Sequence, residues 1–197
     1  MAERTVSVRV LGIVGSPRRG GNTEALVDEV LAGAEEKGAA TEKVILSELD
    51  ISPCKACDRC LKGVCAQKDD MKGLLDRMQK SHVWVLGTPV YWWGPTAQFK
   101  AFLDRWYGAK KVKFKGRPVV VTIALGATSS EVARHTIGML TDSLNYLAMN
   151  IVDTIVAAGV QERGEVRSLP RVLARARRAG TKAAAIGQAA AATTSSD

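Results

Sequence analysis

Five short apolar runs alternate along the chain with five stretches of helical periodicity, and few folds accommodate that order. The runs are Val6 to Val14, Lys43 to Leu46, His82 to Leu86, Pro118 to Leu125 and Ile151 to Ala157. Their length and near-continuous apolar character read as strands covered on both faces. Between them, Leu26, Val27, Val30 and Leu31 share one helical face, with Asn22 or Thr23 as the expected N-cap. Met71, Leu74, Leu75 and Met78 repeat at the same period behind Asp69 or Asp70. Phe99, Phe102, Leu103 and Trp106 mark a third helix, and Val132 to Leu147 a fourth. Ser168 is the expected cap of a last helix from Arg171 to about Ala185. Strict alternation predicts an α/β class protein: a doubly wound, five-stranded parallel sheet with helices on both faces. At 197 residues the chain suits one domain, residues 1–187. The alanine-rich end, residues 188–197, is expected to be a disordered tail.

In such sheets ligands bind beyond the carboxyl ends of the strands. The loops after strands one, three and four are therefore expected to meet in one crevice. The first, Gly15-Ser16-Pro17-Arg18-Arg19-Gly20-Gly21-Asn22-Thr23, joins a strand to a helix start. Backbone N–H groups and the helix N-terminus favour an anion there. Ser16, Asn22 and Thr23 add neutral donors, and Arg18 or Arg19 a charged fork suited to phosphate. No Gly-Lys-Ser/Thr closes the turn, and its glycines are not spaced as G-x-G-x-x-G, which disfavours a nucleoside triphosphate or a dinucleotide. A single terminal phosphate remains. The loop after strand three holds Pro89, Val90, Tyr91, Trp92 and Trp93. Planar side chains there suit a planar, partly apolar ligand, although the two tryptophans also suit packing under the next helix. A monophosphate bearing a flat ring system points to FMN.

The segments Gly15 to Thr23 and Thr88-Pro89-Val90-Tyr91-Trp92, with Phe99-Lys100 and Asp104-Arg105, resemble those of NAD(P)H-dependent FMN reductases of the flavodoxin-like fold. With its cysteine cluster the chain is similar to the iron–sulfur flavoprotein branch. The resemblance implies strand order 2-1-3-4-5 and a cysteine-bearing loop after strand two. It implies that Ser16, Arg18, Gly21, Asn22 and Thr23 hold the FMN phosphate, and that Pro89, Val90, Tyr91, Trp92 and Trp93 line the isoalloxazine. Gly126, Ala127, Thr128 and Ser129 would touch the pyrimidine edge. NAD(P)H is implied as co-substrate. A neighbouring subunit completes the ring face in the family, so a homodimer or homotetramer is implied, with Trp106, Tyr107 and the following basic loop as candidate contacts.

All four cysteines, Cys54, Cys57, Cys60 and Cys65, lie within residues 50–70 at the spacing C-x2-C-x2-C-x4-C. Four thiolates this close suit one 4Fe–4S cluster. Zinc is weaker, since structural zinc ligands come as two separated pairs. Free or redox-active thiols remain a reading, because related reductases retain cysteines without a cluster. Hence the chain reads first as an FMN and 4Fe–4S redox protein passing electrons between a small-molecule or protein donor and acceptor. A cluster-free NAD(P)H-dependent FMN or quinone reductase is the second reading, and a non-catalytic flavin or metal redox sensor the third.

The formal net charge of +8 is concentrated in Lys110 to Lys115 and in the arginines from Arg163 to Arg178. No base-reading motif accompanies it, which argues against nucleic acid. Solvated basic surface is the preferred reading, and docking of an acidic redox partner the other. The longest apolar runs are too short to cross a membrane. The charged start shows no signal-peptide core, so a cytoplasmic protein with reduced thiols is expected. His82 and His135 lie off the crevice loops and read as structural.

Overall fold

Period-two alternation sorts the strand side chains onto two faces, and both are covered. The computed structural model describes residues 7–63, 65–109 and 111–194. The expected strand start at Val6, the basic residue Lys110 and residues 195–197 of the expected tail lie outside the described residues. The strands are β1 (Arg9–Val14), β2 (Ala40–Ile45), β3 (Val83–Pro89), β4 (Pro118–Leu125) and β5 (Asn150–Ala158). The helices are α1 (Asn22–Glu35), α2 (Met71–Lys80), α3 (Ala97–Asp104), α4 (Arg134–Tyr146) and α5 (Pro170–Thr194). All pairings are parallel in the order β2-β1-β3-β4-β5, the doubly wound arrangement expected.

Val10, Val14, Val83, Val85, Val120 and Ala124 pack under α1 and α5 on one face. Leu11, Ile13, Trp84, Leu86, Val121 and Ile123 pack under α2, α3 and α4 on the other. Helices α1 and α5 touch backbone to backbone: a methyl placed on Gly33 would stand 1.9 Å from the Arg177 carbonyl oxygen, and one on Gly180 1.8 Å from that of Val30. Glycine at both positions is what lets the crossing close.

Several boundaries differ from the sequence expectation. β2 begins three residues early because an edge strand keeps polar side chains, here Thr41 and Glu42, facing water. β3 runs on through Gly87, Thr88 and Pro89, which pair with Thr122, Ile123 and Ala124 although their composition reads as loop. The N-cap of α1 is Gly21, not Asn22 or Thr23. α5 starts at Pro170, whose fixed φ suits a first helical turn, while the Ser168 hydroxyl donates to the Glu165 carbonyl one turn earlier. The expected disorder over 188–197 does not hold through Thr194: those residues continue α5, and Ala191 is buried. Low complexity misled there because alanine is the strongest helix former.

Candidate functional site

Four strand ends open on one cavity of about 190 Å³. Its wall takes Ser16, Arg18, Asn22 and Thr23 from the turn after β1. Pro89, Val90 and Tyr91 come from the end of β3, and Ala124, Leu125 and Gly126 from the end of β4. The loop after β5 adds Val160 and Gln161, which the sequence reading did not single out. The rule that ligands sit beyond strand carboxyl ends applies equally to β5 and was the available signal.

The turn is braced from beneath. The Gly20 N–H donates to the Glu24 carboxylate at 2.7 Å, and the same carboxylate pairs with Lys43 at 2.7 Å and Arg19 at 3.4 Å. Burial pushes the Glu24 carboxyl up, but Lys43, the Gly20 N–H and Arg19 outweigh it and leave it below its ordinary value. Arg19 also reaches Glu48 at 3.3 Å. Arg18 is therefore the arginine that faces the cavity, where its Nη1 donates to the Gln161 carbonyl at 3.2 Å. The Ser16 hydroxyl, on a residue 4% exposed, accepts the Arg18 N–H at 3.2 Å. Asn22, on the cavity wall, also ties two loops together: its amide donates to the carbonyls of Val160 and Glu162, and its Oδ1 accepts the Val166 N–H. It fastens the β5 loop to the turn. Gly21 caps α1 and does not line the cavity.

Thr96, fully buried, fixes the turn against α3. Its hydroxyl donates to the Gly15 carbonyl at 2.6 Å and accepts the Phe99 N–H at 3.2 Å as the helix cap. Its own N–H donates to the Thr88 hydroxyl at 3.2 Å. A threonine one residue after a proline reads as a plain cap, and its reach to Gly15 across 81 positions leaves no local trace.

Tyr91 and Gly94 exchange backbone hydrogen bonds at 2.8 and 3.0 Å, closing a two-residue turn over Trp92 and Trp93. Both tryptophans have positive φ, 48° and 61°, where Asn-Gly is the usual choice. Trp92 is 91% exposed and Trp93 47%. Neither lines the cavity; their rings lie 6.0 Å apart, and the Thr136 hydroxyl of α4 donates to the Trp93 carbonyl. Ala127, Thr128 and Ser129 are exposed beyond Gly126. The Ala127 carbonyl accepts the Gly159 N–H, and the Ser129 hydroxyl accepts that of Glu131.

The cysteine loop leaves the sheet between β2 and α2. Its neck is closed by Asp50 N–H to the Asp70 carboxylate and Asp70 N–H to the Asp50 carbonyl, at 2.8 and 2.9 Å. Cys54, Cys57 and Cys65 are exposed, Cys60 is half-buried, and all four are free thiols. A hollow of about 600 Å³ opens beside Cys57, Asp58, Arg59 and Lys62. Among the described residues no three His, Cys, Asp or Glu side chains are grouped as a metal site. The donor chemistry nonetheless fits a thiolate-ligated cluster: four thiols share one loop, the Arg105 guanidinium lies 3.4 Å from the Cys65 sulfur, and Gly108 leaves room for Cys60. A methyl on Gly108 would stand 2.8 Å from the Cys60 Cβ.

Trp106 is buried among Trp84, Phe102 and Phe114, which removes it from the expected subunit contacts, whereas Tyr107 is exposed. His82 accepts the Arg9 N–H through Nδ1, ahead of β3 and away from the strand ends that form the cavity. No helix among the described residues is long and apolar enough to cross a membrane.

Fold and crevice define a flavodoxin-like α/β domain. A flavodoxin from the domain Archaea superposes with a TM-score of 0.59 at 12% identity, over 92% of this chain and 99% of that one. The profile described as NADPH-dependent FMN reductase matches residues 8–162, so the chain belongs to that family. An iron–sulfur flavoprotein of Archaeoglobus fulgidus is 40% identical over 119 residues, 57% of this chain and 54% of that protein. The alignment thus spans about half of that relative's length. A second iron–sulfur flavoprotein from the same organism is 30% identical over 164 residues, 81% of each chain.

Proposed function

We propose that the chain is an NAD(P)H-dependent flavin oxidoreductase that holds FMN in the cavity at the strand ends and a 4Fe–4S cluster on Cys54, Cys57, Cys60 and Cys65. The observation that carries the flavin reading is the meeting of Ser16 and Arg18 with Pro89, Val90, Tyr91 and Gly126 around one cavity. Ser16, Arg18 and Thr23 bind the phosphate, where neutral donors, a guanidinium and the start of α1 all favour an anion. Pro89, Val90 and Tyr91 set the tilt of the ring and exclude water from one face. The Gly126 turn, with Gln161 lying against it, offers polar groups to the ring edge. Bound FMN supplies hydride acceptance and single-electron release; the protein supplies position and electrostatics. No general acid or base is required of the chain.

The cysteine spacing, the relatives' names and the Arg105–Cys65 contact support the cluster. A cluster-free reductase is the second reading, favoured by the absence of a grouped metal site among the described residues. Trp92 and Trp93, Ala127 to Ser129 and the exposed Tyr107 remain as surfaces for a substrate or a second subunit in a homodimer or homotetramer. A cytoplasmic setting suits four free thiols. Anaerobic mixing with NADH or NADPH tests the activity: bleaching of the flavin on a turnover timescale supports it, and a flavin left oxidised refutes it. Iron analysis of anaerobically reconstituted protein expects about four irons per chain; iron-free protein refutes the cluster and leaves the reductase.

A further inference from the structure

The 3-10 turn Arg105–Gly108, directly after α3, meets the cysteine loop at three points. The Arg105 Nη2 donates to the Cys65 sulfur at 3.4 Å. Asp58 lies close enough to Tyr107 for its charge to hold the exposed phenol above its ordinary value. Gly108 lies flat against Cys60. Arg105 is 6% exposed, and a guanidinium that far from water needs acceptors for its N–H groups. Asp69 takes two of them as a bidentate partner, its side chain 3% exposed, and the Ser52 carbonyl takes another at 2.9 Å. Those contacts alone brace the neck of the loop. The bond to sulfur is additional, and it falls on one of the four cysteines.

We propose that Arg105 is a positioning residue for the cysteine-bound cofactor, donating an N–H···S hydrogen bond to Cys65 that fixes the fourth ligand and raises the cluster's reduction potential. The proposal rests on the cluster reading given above. Reduction adds negative charge to the thiolate core, and hydrogen bonds to the sulfurs favour the more negative state. Because Asp69 neutralises the guanidinium charge, the effect on the cluster is that of a short-range hydrogen bond and not of a free cation. The two partners therefore act with opposite sign. Losing the fork of Arg105 lowers the potential, whereas losing the charge of Asp69 leaves the cation uncompensated and raises it. α3, which begins beside Thr96 at the phosphate turn, ends at this guanidinium, so one short helix spans both sites.

The test compares wild type, Arg105→Lys and Asp69→Asn after anaerobic reconstitution, by iron content and an EPR-monitored redox titration, with FMN binding as the check on folding. Arg105→Lys keeps the charge but not the fork. It is expected to bind FMN as wild type does and, at a fixed poise, to show a reduced-to-oxidised cluster ratio roughly tenfold lower, about 59 mV for a one-electron couple. Asp69→Asn is expected to shift in the other direction. Arg105→Lys that binds FMN but fails to retain iron also supports the positioning role. An iron-loaded Arg105→Lys with unchanged potential overturns the proposal, as do shifts of the same sign in both variants, which would mark a purely structural brace. Wild type that takes up no iron overturns the cluster reading, and this inference with it.

Discussion

Replacing Thr96 by valine removes one buried hydroxyl and keeps the shape, which isolates what that hydroxyl does. It makes two hydrogen bonds, accepting the Phe99 N–H as the cap of α3 and donating to the Gly15 carbonyl at 2.6 Å. Loss of the cap costs about 1 kcal/mol. The Gly15 carbonyl, on a buried residue, is left without that partner at a further 1–3 kcal/mol or so. The sum is about 2–4 kcal/mol of stability. Gly15 immediately precedes Ser16, so the turn loses its register as well, and FMN affinity falls by about tenfold or more, the equivalent of one such bond. Urea unfolding of the flavin-free protein reads the first quantity and a fluorescence titration with FMN the second. Thr96→Ser keeps both hydrogen bonds and loses one methyl, so it stays within about 1.5 kcal/mol of wild type. A valine variant as stable and as tight for FMN as the serine variant would refute the reasoning.

Three further outcomes follow from particular contacts. Gly33→Ala forces a methyl onto the Arg177 carbonyl, so the α1–α5 crossing must open, and unfolding free energy drops by about 2 kcal/mol or more; an unchanged melting temperature would contradict the packing described. The double replacement Trp92→Asn with Trp93→Gly puts favoured residues at two left-handed positions and is expected to stabilise by about 1–2 kcal/mol, read as a rise in Tm; a fall would mean that the rings pack more than their exposure indicates. Glu24 titrates below its ordinary value of 4.5 in the folded protein. Its contribution is thus complete above that pH and is lost as pH falls through the lowered folded value. The urea midpoint should therefore decline on acidification below pH 4.5, and less steeply in Glu24→Gln. Identical slopes in the two proteins would exclude Glu24 as a source.

Fold class was legible because alternation of apolar runs and helical stripes is a local, repeated signal, whereas the strand order followed from the family resemblance. Boundaries were less so, since Gly87 and Thr88 look like loop and are strand only because β4 pairs with them. The alanine-rich end looked featureless, and helix propensity decided it. Within the site, residue types placed on crevice loops identified Ser16, Arg18, Pro89, Val90, Tyr91 and Gly126 as wall residues. Asn22 stands on the cavity wall where its position in the turn put it, and its amide also holds the β5 loop, a long-range contact that residue type alone does not announce. Gln161 meets Arg18 across 143 positions, Thr96 meets Gly15 across 81 and Arg105 meets Ser52 across 53, and no pattern short enough to read locally connects them.

The central claim is that the turn from Gly15 to Thr23 grips a phosphate while the neighbouring strand ends receive the ring attached to it. Parallel titrations of the flavin-free protein with FMN and with riboflavin, the same ring without the phosphate, test it most directly. The account predicts one FMN per chain and riboflavin weaker by about a hundredfold or more, since at least two charge-assisted hydrogen bonds are lost. Equal affinity for the two flavins, or binding of neither, would contradict it.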